Sequence, residues 1–242
     1  ANVQVIQALR EALDDEGIEA QIHRKQFHNR NLALRLITPE WQHDLGGGDM
    51  AYTAVSIRND ELGKGSFSVK AAVARVACFN YTLAENPIFE HVHRFLMPDE
   101  ILSGMRDGFR QLNEVAATIS SGLADMRNFD VEDVAGMLRV VSAEIGLPEY
   151  ARKAAQQWWE DSGAVPNLFW LVQAVAFATD EMTSRKGFAW DRREMAEQQI
   201  YHMAQTFQEK GELKLCECPR CHRPMARATA DEIIESDYRI VE

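Results

Sequence analysis

The chain has 242 residues, 46% hydrophobic and 26% charged, which is the composition of a globular protein with a buried core. Its formal net charge of -11 argues against a protein that coats duplex DNA through overall attraction, although a local basic surface could still bind nucleic acid. No apolar run approaches the roughly 20 residues that span a bilayer, and the acidic, amphipathic start resembles neither a secretory signal nor an Arg-rich transit peptide.

The first part of the chain predicts one helix followed by a sheet. Apolar residues recur at helical spacing between Val3 and Asp15, and Gly17 supplies a stop. Three stretches then alternate apolar and polar residues with period two, as strands do: IEAQIHRKQF, LALRLIT and MAYTAVSIRN. NDELGKGS has the composition of a hairpin loop, and FSVKAAVARVACFN and FEHVHRF follow as further strands. We therefore interpret residues 1–96 as a sheet-rich region.

After Met97 the pattern becomes helical. Pro98 and two carboxylates mark a helix start, and apolar residues from Ile101 to Leu123 then define one face of a long helix. We expect Asp130 to cap a second helix. Further helices are predicted over Glu149–Asp161, Asn167–Glu181 and Arg192–Lys210. The predicted fold is α+β: an antiparallel or mixed N-terminal sheet, a helical region 97–211, and a cysteine-rich knuckle with its tail, 212–242.

The stretch LCECPRCHRPM suggests a metal site. Cys218 and Cys221 have the Cys-x-x-Cys spacing of a zinc knuckle, and Cys216 and His222 complete a candidate set of four ligands for a structural Zn²⁺. A second knuckle is missing, so three alternatives stay open for the remaining ligands. They are His222 with Cys216, a distant histidine (His202, His91 or His93), or a second chain sharing the ion. Sharing would require a homo-oligomer, which we expect.

This cysteine usage also indicates where the protein works. Three of the four cysteines are clustered, which makes a poor disulfide framework and suits a reducing compartment. We therefore expect a cytoplasmic protein of a prokaryotic host cell, with no membrane segment.

Two stretches resemble a known family. VSIRNDELGKGSFSVKAAVARVACFN is similar to a strand, Gly-rich hairpin and Arg-x-x-Cys-x-Asn segment found in the phage/plasmid-like proteins grouped as domain of unknown function 932. NLFWLVQAVAFATDE is similar to the family's Asn-x-x-Trp-x-x-x-Asn-Ala-Val run. Tyr81 replaces the usual glycine and Gln173 the usual asparagine, and the resemblance spans roughly Glu19 to Met182. The matching positions are Asn59, Asp60, Gly63, Gly65, Arg75, Cys78 and Asn80. The resemblance implies a setting in mobile elements, and hence DNA metabolism, recombination or interference with host defence.

The stretch HRKQFHNR carries the densest mixture of cations and an aromatic ring in this acidic chain. Cations suit phosphates and an exposed ring suits base stacking, so the stretch predicts a single-stranded DNA platform. A solvated strand face is the alternative interpretation. The candidate nucleic-acid-binding residues are Arg24, Lys25, Phe27, Arg30, Arg35, Lys64 and Lys70, with Arg58 and Arg75 on neighbouring strands able to extend a groove.

These observations favour a non-enzymatic function. The sequence contains no Walker loop, Rossmann fingerprint, nucleophile elbow or His-Glu-x-x-His motif. We expect a mobile-element protein that binds single-stranded DNA in recombination or replication. The alternative is a counter-defence protein that binds and neutralises a host protein. An enzyme acting on nucleic acid, with a metal at His91 and His93, is a third possibility.

Overall fold

A computed structural model describes residues 2–28, 31–60, 66–78, 80–84, 87–92, 98–184 and 190–210. The predicted α+β class is confirmed: an antiparallel sheet of N-terminal strands precedes a helical C-terminal half. The chain divides into two compact units, Ala1–Ala124 and Asp125–Glu242. The long helix after residue 97 therefore belongs to the same unit as the sheet. The sequence pattern instead placed the boundary between the sheet-rich and the helical region at the start of this helix.

Over the residues that the structure describes, the first unit contains two helices and six strands. Helix α1 spans Asn2–Asp15, as the apolar spacing predicted, and α2 spans Pro98–Asp125. Every strand pairing is antiparallel, and the order across the sheet is β1-β2-β3-β4-β5, with β6 on the same side of β4 as β5. The strands are β1 Gln21–His28, β2 Asn31–Asp44, β3 Met50–Asp60, β4 Ser66–Arg75, β5 Tyr81–Leu83 and β6 Phe89–Val92.

Both helices pack on one side of the sheet, which we call the helix face. The side-chain amide of Asn59 on β3 donates to Asn2 Oδ1 of α1 over 2.6 Å, and Thr53 Oγ1 donates to Asn113 Oδ1 of α2 over 3.3 Å. Directly paired residues of antiparallel strands share a face, so the strand register extends this assignment across the sheet. The helix face includes Leu32, Leu34, Leu36, Val55, Ile57, Phe67, Val69 and Val73.

The opposite side of the sheet, which we call the concave face, carries several small residues, among them Ala33, Ala54, Ser56, Ser68, Ala72 and Ala74. Tyr81 on β5 forms a hydrogen bond of 2.6 Å between its hydroxyl and Nδ1 of His23 on β1. Four strand spacings separate β5 from β1, about 19 Å in a flat sheet. A tyrosine side chain cannot cross that gap, so the sheet curls strongly and encloses the concave face. A buried cluster lies there: Ile37, Ala54, Ala72, Ala74, Tyr81 and Leu83.

The ends of β3 and β4 show how the family-like segment is built. Strand β4 stops at Arg75, so Cys78 lies half-buried in the following turn and not inside the predicted strand. The Arg75 guanidinium donates to Asp49 Oδ1 from Nε at 3.0 Å and from the terminal nitrogen at 2.6 Å. Asp49 follows Gly46, Gly47 and Gly48, whose φ angles of 76°, 62° and 83° require glycine. Arg75 therefore ties the end of β4 to the loop that precedes β3.

The second unit is helical over the residues that the structure describes. After a short 3₁₀ turn it contains α3 Val134–Glu144, α4 Glu149–Ser162, α5 Leu168–Ser184 and α6 Trp190–Lys210. The prediction that Asp130 caps the second helix was wrong, because the backbone of Asp130 instead forms a β-bridge with Asn167. Helix α3 begins three residues later, where the side chain of Asp133 accepts from the Gly136 backbone N–H at 2.8 Å.

Aromatic contacts organise this second unit. The Arg127 guanidinium lies 3.6 Å from the centroid of the Phe169 ring, and Trp158 stacks on Phe177 at 5.8 Å. Asn167 caps α5 by accepting from the backbone N–H of Trp170 at 3.1 Å. Among the helices of the described ranges, none is long and apolar enough to cross a membrane.

Candidate nucleic-acid interface

Cationic side chains converge on the concave face of the sheet. Arg24 on β1 pairs with Arg35 on β2, Arg35 pairs with Ser56 on β3, and Ser56 pairs with Lys70 on β4. These four residues form one row across four strands, in which the Cβ atoms of neighbours are about 5 Å apart. The register thus brings three cations from separate parts of the sequence into a single line.

A second row beside the first adds another cation. Arg58 on β3 pairs with Ala33 on one side and with Ser68 on the other, and Gln26 of β1 pairs with Ala33. Arg58 is two residues along its strand from Ser56, so it projects from the same face. We call Arg24, Arg35, Arg58 and Lys70 together the cationic cluster. In a chain of net charge -11 this concentration is local, and the field that a ligand meets is set locally.

The members of the cationic cluster differ in their exposure. Arg24, Arg58 and Lys70 are half-buried, so their alkyl stems lie along the sheet while part of each side chain remains accessible. Arg35 is 0% exposed, and its guanidinium lies 4.3 Å from the centroid of the Tyr81 ring. Its position does not fit direct contact with a phosphate at the surface, which corrects its place among the candidate ligand-binding residues. The physical reason is the curl of the sheet, which brings Tyr81 over it.

Tyr81 contacts both His23 and Arg35 of the cationic cluster. The Tyr81 ring is 1% exposed, its face receives Arg35, and its hydroxyl is hydrogen-bonded to His23. The two rings are tilted by 32° with centroids 5.6 Å apart. A buried guanidinium against an aromatic face gains cation–π attraction that partly offsets its loss of hydration. We infer that this pair positions Arg35 and holds β1 close to β5.

Lys25 and Phe27, also predicted to bind nucleic acid, lie on the other side of the sheet. Lys25 pairs with Leu34 and Phe27 with Leu32, so both project from the helix face. Both are exposed, Phe27 at 67%. Successive residues of a strand point to opposite faces, so the cations and the ring of HRKQFHNR do not form one platform. The structure brings together Arg24, Arg35 and Lys70 and separates them from Lys25 and Phe27.

Several predicted site residues lie outside the described residues. Arg30 and Lys64 are among them, as are the four candidate zinc ligands: Cys216, Cys218, Cys221 and His222. Within the ranges that the structure describes, no group of three or more His, Cys, Asp or Glu side chains could hold a metal ion. The zinc site stays a prediction from the spacing of its ligands.

Sequence reasoning missed two residues of this site and underused a third. Tyr81 stood out only as a departure from a family glycine, and His23 only as part of a basic stretch. Tyr81 and His23 are 58 residues apart in sequence, so no local sequence pattern predicts their contact. Arg58 was named only as a possible extension of a groove. Because Ser56 directly precedes Ile57 and Arg58 directly follows it, alternation along the strand would have placed both on the face opposite Ile57.

Comparisons with known proteins add no relative. No protein-family model matches the chain, and no curated protein or solved structure matches it either. The resemblance to phage/plasmid-like proteins therefore stays a hypothesis that rests on the quoted motifs.

Proposed function

We propose that this protein binds single-stranded DNA through the concave face of its N-terminal sheet, in recombination or replication of a mobile element. The observation that supports the proposal is the cationic cluster, in which strand pairing aligns Arg24, Arg35 and Lys70 and sets Arg58 beside them. A flexible single strand can follow a curled surface and present phosphates to the half-buried cations.

The shape of the face favours a single strand over a duplex. The concave face is curled tightly enough for Tyr81 to touch His23, four strands away in the sheet order. Duplex DNA is a stiff rod with a persistence length of about 50 nm, so it cannot follow such a surface without a large bending cost. A single strand carries the same charged backbone without that cost.

A titration of the full chain with a fluorescently labelled single-stranded oligonucleotide, with the matching duplex alongside, tests the proposal. We expect anisotropy to report tighter binding of the single strand. Arg24→Glu, Arg58→Glu and Lys70→Glu should each weaken it severalfold, because each reversal replaces attraction to a phosphate by repulsion.

Lys25→Glu is the matched control for Arg24→Glu. The two residues are adjacent on β1 and carry the same charge, but they project from opposite faces. The control should leave the affinity nearly unchanged, and circular dichroism should show that both variants are folded. Equal loss in both variants would mean that binding follows overall charge and would refute this placement. Failure of the unaltered chain to bind either nucleic acid would favour the counter-defence function, with a host protein as the partner.

A structural zinc ion is the second part of the proposal. The support is the spacing of Cys216, Cys218, Cys221 and His222, whose thiolates and imidazole match the ligands that Zn²⁺ prefers. Metal analysis of the purified full chain should find about one zinc per chain for a site within one molecule and about half for a site shared by two. Zinc content unchanged in Cys218→Ser with Cys221→Ser would contradict the assignment.

A further inference from the structure

Helix α1 and strand β1 carry an unusual share of the exposed apolar side chains. Of the six large hydrophobic residues that are exposed among the described residues, four lie there. Val3 and Ile6 on α1 are 68% and 39% exposed, and Ile22 and Phe27 on β1 are 62% and 67% exposed. Exposed apolar side chains that share one face of a strand mark an interaction site more often than single scattered residues do.

A β-bulge places Ile22 and Phe27 on the same face. Ile22 pairs with Leu36 and Arg24 with Arg35, so His23 is an extra residue in β1. Without it, two residues five positions apart would point to opposite faces. With it, Ile22, Lys25 and Phe27 follow one another along the helix face, and the bulge converts an ordinary alternation into an apolar–basic–apolar row.

The helix layer stops short of this row. On the neighbouring strand the paired residues Leu36, Leu34 and Leu32 are at most 6% exposed, whereas Ile22 and Phe27 remain open to solvent. Within the part of the chain that the structure describes, β1 pairs only with β2, so it is an edge strand of the sheet. An edge strand offers backbone N–H and C=O groups to an added strand, and its side chains select what is added.

We propose that β1 is a docking edge for an extended segment of a partner protein with the pattern apolar-x-acidic-x-apolar. The two apolar side chains of that segment would lie beside Ile22 and Phe27, and its carboxylate would lie opposite Lys25. Opposite charges on directly paired residues stabilise a strand pair, and like charges destabilise it. The pattern reads the same in both directions, so it serves parallel and antiparallel addition alike.

The same charges disfavour a second copy of this chain as the occupant. Antiparallel pairing of β1 with β1 of another molecule, matching Ile22 with Phe27 on the helix face, would bring Lys25 of one copy opposite Lys25 of the other. This contact between like charges opposes self-association. Basic residues in the middle of an edge strand commonly prevent that pairing. An acidic residue at the centre of the added strand removes the repulsion, which is why the partner is specified as acidic.

The proposal is tested with two labelled probe peptides added to the full chain. One has the sequence Thr-Val-Thr-Glu-Thr-Val-Thr, and the other carries lysine in place of the glutamate. We expect the glutamate probe to bind more tightly than the lysine probe by roughly fivefold, because one cross-strand charge pair changes from attractive to repulsive. Lys25→Glu should reverse this preference, and Ile22→Ser or Phe27→Ser should weaken both probes.

The reversal in Lys25→Glu distinguishes docking on β1 from general attraction of an acidic peptide. Preference for the glutamate probe that persists in Lys25→Glu would overturn the proposal, and so would absence of binding by either probe. A concentration-dependent dimer that disappears in Phe27→Ser would show instead that a second copy occupies the edge. Arg24, Arg58 and Lys70 are unaltered in every variant, so the outcome is independent of the proposed binding of single-stranded DNA.

Discussion

The proposed binding of single-stranded DNA predicts a salt dependence that counts the cations in contact with phosphates. Each phosphate neutralised on a single strand contributes about 0.7 to the slope of log affinity against log salt concentration, because condensed counterions are released. Arg24, Arg58 and Lys70 are half-buried and accessible, whereas Arg35 is fully buried and is not counted. Three contacts give a slope of about −2, so a rise from about 50 to about 200 mM salt should weaken binding roughly 20-fold.

Neutral variants convert this estimate into a residue-by-residue test. Arg24→Gln, Arg58→Gln and Lys70→Gln should each make the slope shallower by about 0.7, and the triple variant should lose nearly all salt dependence. Lys25→Gln, on the other face, should keep the full slope. Anisotropy titrations at four or more salt concentrations measure it. A triple variant that retains the slope of the unaltered protein would refute the assignment of the concave face.

Three further predictions concern stability. Gly104→Ala should destabilise the first unit by roughly 1–3 kcal/mol in urea unfolding, because the added Cβ would overlap the Phe89 ring. At Gly108 on the same helix, an added Cβ would lie 3.3 Å from Cγ1 of Ile88, which is a tight contact but not an overlap. Gly108→Ala should therefore lower the free energy of unfolding far less than Gly104→Ala does. Burial lowers the pKa of His43 below 6.5, so stability falls as the pH drops below that value, and His43→Gln should flatten this dependence. Burial raises the pKa of Tyr201 to about 12, so its contribution to stability is lost as the pH rises above about 10, and Tyr201→Phe should remove that loss.

Each stability prediction has a contradicting result. Equal unfolding free energies for Gly104→Ala and Gly108→Ala would mean that Phe89 moves aside without cost. His43→Gln with the same change in stability between about pH 7 and pH 5 as the unaltered protein would show that His43 takes up a proton freely when folded. If Tyr201→Phe and the unaltered protein lose stability alike above pH 10, ionisation of Tyr201 is not what destabilises the folded state.

The elements of this fold could be predicted from local sequence because their causes are local. The apolar spacing of α1 and α2, the alternation in β2 and β3, and the start of α4 at Glu149 all depend on residues a few positions apart. Asp130 shows the limit of that reasoning. It has the chemistry of a cap, but its backbone bridges to Asn167, so Asp133 caps the helix instead.

The candidate site divides in the same way. Alternation along β1 would have separated Arg24 from Lys25 and Phe27, since neighbouring strand residues point to opposite faces, but the prediction of one platform grouped all three. The sequence by itself thus determined most of the elements, the basic residues that they carry and the spacing of the candidate zinc ligands. Only the tertiary structure decided that Arg35 is buried under Tyr81 and that a bulge at His23 aligns Ile22 with Phe27. Those outcomes depend on the register and curl of strands far apart in the chain, which are set by the packing of the whole sheet and not by any short pattern.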